Sequence, residues 1–114
     1  MLQKENRLTK KDDFGRIHKR GRFCGDEFLA IRFLPNGLDV TRVGFLVGLK
    51  ISKKAVIRNK IKRILREVFR LKIKNCKLKK GFDIIVLVRP EIIGKSYTEV
   101  NQALDRVLSM AGIV

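Results

Sequence analysis

Residues Lys53 to Arg70 read KKAVIRNKIKRILREVFR, and the fold turns on the period of that run. At 3.6 residues per turn Ile57, Ile61, Ile64, Leu65 and Val68 fall on one side, which predicts a helix laid on a core. Arg58, Lys62, Arg66 and Arg70 form an i, i+4 ladder on another side, flanked by Asn59 and Arg63 and broken only by Glu67. Like charges at that spacing repel by about 0.2–0.5 kcal/mol per pair in an isolated helix. A polyanion laid against the ladder would relieve that repulsion. The plainer alternative is a solvated lysine-rich face. Against it stand the arginines, which outnumber lysine on the ladder, and Asn59 among them.

Outward from this helix, the charge is concentrated in patches. The chain has 114 residues, enough for one domain with a modest core, and a net charge of +16. Residues 50–80 carry fourteen Lys and Arg with Glu67 as their only acid, and residues 1–22 carry eight against three acids. The rest of the chain is close to neutral. Such a distribution points to nucleic acid or to an anionic membrane surface. No apolar run is long enough to span a bilayer, and no secretory signal is visible, so no membrane partner is expected. Cys24 and Cys76 have neither disulfide-framework nor metal-type spacing, and His18 is the only histidine. Both cysteines read as reduced residues of a cytoplasmic protein.

Around the basic helix the chain reads as α, β, β, α, β, α. Residues 1–8 are polar and expected to be mobile. Thr9 is placed to cap a helix over 10–20, with Asp12 and Asp13 in its first turn and Gly21 at its end. A strand is expected over 27–34, then a turn at Pro35-Asn36-Gly37, then a strand over 41–49. The interior glycines Gly44 and Gly48 of that strand suggest a bulge or a close backbone approach. The basic helix is expected over 54–72. A strand over 82–89, apolar on both faces from Ile84 to Val88, reads as central in a covered sheet. Ser96 and Glu99 form a capping-box pair for a last helix with Val100, Leu104, Val107, Leu108 and Ala111 on its apolar side. The order predicts one α+β domain over 1–114, with helices packed on a small mixed sheet.

The run Lys53-Lys54-Ala55-Val56-Ile57-Arg58-Asn59-Lys60-Ile61-Lys62-Arg63, followed by Arg66-Glu67, resembles the central motif of the bacterial ribonuclease P protein component. Leu8 through Arg22, Arg42-Val43-Gly44-Phe45, Gly81-Phe82-Asp83-Ile84-Ile85-Val86 and Arg89-Pro90 resemble the flanking segments of that family, in the same order. The chain departs from the family pattern at Gly48 to Lys53, one residue longer and with Ser52 where glycine is usual. It also has Lys60 in place of the second arginine of the motif, which keeps the charge and loses the bidentate fork.

The resemblance implies an αββαβα domain of the ribosomal protein S5 domain 2-like kind, with a left-handed βαβ crossover made by the basic helix. It implies an accessory subunit of an endoribonuclease whose catalytic centre lies in the RNA partner, with Mg²⁺ held mainly by that RNA. The partners it implies are the ribonuclease P RNA and precursor tRNA, whose 5′ leader is removed; no stable protein partner is expected. Carried over by position, Lys53, Lys54, Arg58, Asn59, Lys60, Lys62, Arg63 and Arg66 would meet the catalytic RNA. Phe14, His18, Ile31 and Phe33 would line the leader cleft, with ordinary core packing as the alternative for Phe14 and the favoured reading for Phe33.

The residues agree that the chain alone is a poor nuclease. Its eleven acids are scattered and His18 has no second histidine to work with, so no catalytic residue is expected in the protein. The rival classes are a structural RNA binder, a DNA-reading module and an independent nuclease. Strands on both sides of the basic helix disfavour the second, because a helix-turn-helix needs paired helices.

Overall fold

The long basic run folds as a single helix, α2 (Ala55–Lys74), with no glycine or proline to interrupt it. In the computed structural model, which describes residues 3–113, its Ile61, Leu65, Val68 and Phe69 are buried and Ile57 and Ile64 half-buried. Before it come α1 (Lys11–Arg20), β1 (Arg22–Gly25), β2 (Leu29–Pro35) and β3 (Arg42–Leu46); after it come β4 (Phe82–Val88) and α3 (Tyr97–Ala111).

The strands form one mixed sheet in the order β1-β2-β4-β3. β2 pairs antiparallel with both β1 and β4, whereas β3 runs parallel to β4 across the α2 connection. β4 is therefore an inner strand, as its two apolar faces require: Ile84 and Val86 join the main core, and Ile85 joins a second cluster beneath α1. α2 and α3 cover one face of the sheet, burying Val100, Ala103, Leu104, Val107 and Leu108 of α3 against it. Each fully buried aliphatic side chain of this kind contributes about 1.5–3 kcal/mol. α1 covers part of the other face with Ile17, and Phe14 packs beside it.

Three expectations are corrected, and one strand is added that the sequence did not show. β1 reads only Arg-Phe-Cys-Gly, too short to show an alternating pattern in sequence. The strand expected over 41–49 stops at Leu46. The residue preceding α1 is Lys10, whose side chain makes no capping bond, so Thr9 does not cap the helix. The amino terminus is held from Gln3 onward, Met1 and Leu2 lying outside the described residues. Asn6 is buried and donates to the Thr41 carbonyl at 2.9 Å, and Leu8 is buried with its N–H on the Val43 carbonyl at 3.0 Å.

Helix ends follow their local chemistry. The Ser96–Glu99 capping box is formed in both directions. α3 ends on Gly112 at φ 75°, while α2 ends with Cys76 at φ 55°. Lys77 N–H bonds to the Lys72 carbonyl and Cys76 N–H to that of Ile73, the Schellman pattern that favours glycine at the left-handed position. Cys76→Gly should therefore stabilise the fold by about 1 kcal/mol, read as a higher denaturation midpoint. A lower midpoint would show that the cysteine makes a compensating contact.

Candidate nucleic-acid interface

Because the apolar stripe of α2 is in the core, its cations must face outward. Lys53, Lys54, Asn59, Lys60, Arg63 and Arg66 are exposed, and Arg58 and Lys62 are half-buried. The first turn of α2 contains no acid, and Lys54 at its start offers no side-chain cap, so the free N–H groups there add to the positive field. Arg58 Nη1 donates to the Ser52 carbonyl at 2.8 Å and Ser52 Oγ accepts from Lys54 N–H at 3.1 Å. The segment that departs from the family pattern is thereby fastened to the helix it leads into.

Arg70, the last rung of the ladder, is not available. Its guanidinium grips Glu67 through Nε–Oε2 at 3.0 Å and Nη2–Oε1 at 2.6 Å, holding the Glu67 carboxyl below its ordinary value. Lys72 is buried and bonded to Asp105 of α3. The free cationic face thus belongs to the first three turns of α2.

Two of these cations border a cleft at the β3 edge. Lys62 and Arg66 on one side face Phe14 of α1, Phe45 of β3 and the Arg7-Leu8-Thr9 segment around a cavity of about 410 Å³. Gly44 makes the approach of α1 possible: a Cβ there would stand 2.5 Å from Phe14 Cζ. Phe45 is backed by Phe69, with ring centroids 5.8 Å apart. Gly44→Ala should displace the Phe14 ring and cost about 1–3 kcal/mol, measured by chemical denaturation. A loss below about 0.5 kcal/mol would show that the ring is not seated there.

The angle of α1 is fixed by a buried carboxylate. Asp83 of β4 is fully buried, and its Oδ1 and Oδ2 accept from Arg42 Nε and Nη2 at 2.8 and 2.7 Å. Arg16 Nη2 of α1 reaches Oδ2 at 2.7 Å, and Asn36 Nδ2 reaches Oδ1 at 2.9 Å. Burial pushes the Asp83 pKa up. The hydrogen bonds from Arg42 and Asn36, the Arg42 charge and the Arg16 bond together outweigh burial and hold the carboxyl below its ordinary value.

Ile31 and Phe33 are not in this cleft. They are 0% and 6% exposed and belong to the core between the sheet and helices α2 and α3, the face opposite α1. Side chains alternate along a strand, so the β2 residues on the α1 side are Ala30, Arg32 and Leu34. Arg32 lies over the ring of Phe23, 5.4 Å from its centroid, and Phe23 is 55% exposed. This stack and Phe45 are the candidate RNA-contacting groups that the sequence reading missed. His18 is exposed one turn beyond Phe14, outside the cleft lining, with its carbonyl 3.5 Å from Arg32 Nη1.

The family model for ribonuclease P matches residues 2–112 of this chain. The chain belongs to the ribonuclease P protein family. The ribonuclease P protein component of Alkaliphilus oremlandii is 38% identical over 109 residues, covering 96% of this chain and 93% of the relative. That of Caldanaerobacter subterraneus is 33% identical over 108 residues, covering 95% and 90%. Among solved structures, a Staphylococcus aureus RNase P protein mutant with defective mRNA degradation activity superposes with a TM-score of 0.87 at 31% identity, covering 97% of this chain and 92% of that one. The RNase P protein of Thermotoga maritima superposes with a TM-score of 0.82 at 34% identity, covering 91% and 96%. Family membership implies a component of the ribonuclease P endoribonuclease complex that partners the ribonuclease P RNA.

Proposed function

We propose that this protein docks on the catalytic RNA of ribonuclease P through the outward cations of α2 and holds the 5′ leader of precursor tRNA in the cleft beside them. In this way it supports endonucleolytic removal of the leader to give the mature tRNA 5′ end. The observation that carries the reading is the cleft itself, where aromatic rings at Phe14 and Phe45 face the cations Lys62 and Arg66. Rings can stack unpaired bases while the cations track the backbone. Structured RNA offers phosphates and 2′-OH groups rather than an open major groove, and these suit Lys53, Lys54, Arg58, Asn59, Lys60 and Arg63. The exposed Phe23–Arg32 stack takes the place of Ile31 and Phe33 as a second base platform, with His18 between it and the cleft.

Catalysis is assigned to the RNA, with Mg²⁺ held mainly there. Four of the protein's carboxylates are engaged elsewhere: Asp83 by Arg42 and Arg16, Asp105 by Lys72, Asp26 by Arg106, and Glu99 in its capping box. Among the described residues no group of three or more His, Cys, Asp or Glu could hold a metal ion, and no helix is long and apolar enough to cross a membrane. A cytoplasmic ribonucleoprotein fits this arrangement.

The test compares Phe14→Ala with the parent in the reconstituted holoenzyme. Affinity for precursor tRNA should fall by about 1–3 kcal/mol for each stacked base lost, with little change for leaderless tRNA. Equal losses for both substrates would remove the leader from the cleft.

A further inference from the structure

Four lysines lie beyond both the docking face and the cleft. Lys74, Lys77, Lys79 and Lys80 are all exposed around the carboxy-terminal end of α2, and none has an ion-pair partner among the described residues. Lys74 complements the helix dipole, but the other three lie beyond the helix, where that effect has faded. The backbone that carries them is fixed. Leu78 is buried, Lys79 N–H bonds to the Ile113 carbonyl at 2.7 Å, and the Lys79 carbonyl accepts from Thr41 Oγ1 at 2.7 Å. Like charges are therefore held together on a rigid segment, which a bound polyanion would relieve.

The same edge of the sheet leads from the cleft to these lysines. Arg7 lines the cleft and also the next depression, with Lys4, Glu5 and Arg42; Glu5 in turn lines a third, with Asp39, Cys76 and Lys80. The two acids on this path stand among Lys4, Arg7, Arg42 and Lys80. Thr41, one residue before β3 and three along the edge from Gly44, donates to the Lys79 carbonyl, and Lys80 lines a depression with Thr41 and Asp39. At the rise of a strand the step from Gly44 to Thr41 is about 10 Å. About three stacked nucleotides bridge that distance, and fewer if extended.

We infer that the Lys74–Lys80 segment is a distal grip for single-stranded RNA that continues out of the cleft, contacting the phosphates of a long leader. The inference rests on the cleft being the leader site. Under this proposal, with the catalytic RNA docked on the cations at the start of α2, the cleavage point falls on that side. The nucleotides farthest from it, the 5′ end of the leader, then run toward the lysines. The grip is electrostatic and indifferent to base identity.

The experiment measures, in the reconstituted holoenzyme, the affinities of one precursor tRNA carrying a leader of about five or about twelve nucleotides. The parent protein should bind the longer leader more tightly. Lys77→Ala/Lys79→Ala/Lys80→Ala should bring the ratio of the two affinities toward one and lower the log–log salt slope for the longer leader by about 2, at about 0.7 per phosphate lost. Arginine at the same three positions should restore both. A ratio that survives the alanine changes overturns the proposal, as does a parent protein that shows no gain with length. Equal weakening of both leaders also overturns it, assigning the lysines to the catalytic RNA or the tRNA body. Failure of the cleft reading is separately visible, because Phe14→Ala would then leave binding of the short leader intact.

Discussion

Asp83→Asn should destabilise the fold by about 3 kcal/mol and lower the thermal midpoint by about 10–15 °C. The carboxylate is fully buried, and its two oxygens bring together Arg42 of β3, Arg16 of α1 and Asn36 of the β2–β3 turn. Removing one member of a buried ion pair costs about 3–5 kcal/mol, because the partner charge is left without compensation. The low end applies because the Arg42 and Arg16 side chains are 22% and 35% exposed and keep some access to water. The pH dependence has a definite sign. The folded carboxyl lies below its ordinary value, so the unfolded chain is the first to take up a proton as pH falls. The stability Asp83 contributes is full above the unfolded value of about 4 and is lost as pH drops through the lower folded value. Denaturation midpoints measured from neutral pH downward should fall more steeply for the parent than for Asp83→Asn. A variant within about 1 kcal/mol of the parent at neutral pH would show that the network does not hold α1 over the sheet.

Raising monovalent salt from about 50 to about 200 mM should weaken binding to the catalytic RNA by about 10³–10⁵-fold if six to ten phosphates are neutralised. The outward cations of α2 and its entrance that lie outside the cleft, Lys53, Lys54, Arg58, Lys60 and Arg63, carry most of that response. Each alanine replacement among them should reduce the log–log salt slope by about one. Arg70→Ala should leave the slope unchanged, because that guanidinium is already held by Glu67. Titrations over a salt series read both effects. A slope near zero, or an Arg70 variant as strong as the Arg63 one, would contradict the division of the ladder into free and engaged cations.

The difference between Arg63 and Arg70 marks how far the sequence could be read. The period of α2, the two-faced burial of β4 and the capping box at Ser96 are local patterns, and each is present in the structure. Glu67 was visible in the basic run, but only the rotamers of Arg70 show that the two are paired. Ile31 and Phe33 illustrate a different limit. Their place in the cleft came from the family resemblance, and alternation tells which strand residues share a face without telling which face looks at α1; both lie on the core face, which for Phe33 was the favoured reading. Asp83 and Arg42 are 41 residues apart, and nothing local announces their meeting. β1 was hidden by its length. Gly44 suggested a bulge or a close approach without deciding between them, and the group approaching it, Phe14, becomes known only once α1 crosses the sheet.

The most direct test of the central claim is precursor tRNA cleavage by a bacterial ribonuclease P RNA at low Mg²⁺, measured with and without this protein. The expected result is strong stimulation by the protein and no cleavage by the protein alone. Absence of stimulation at every Mg²⁺ concentration, or cleavage by the protein without the RNA, would contradict it.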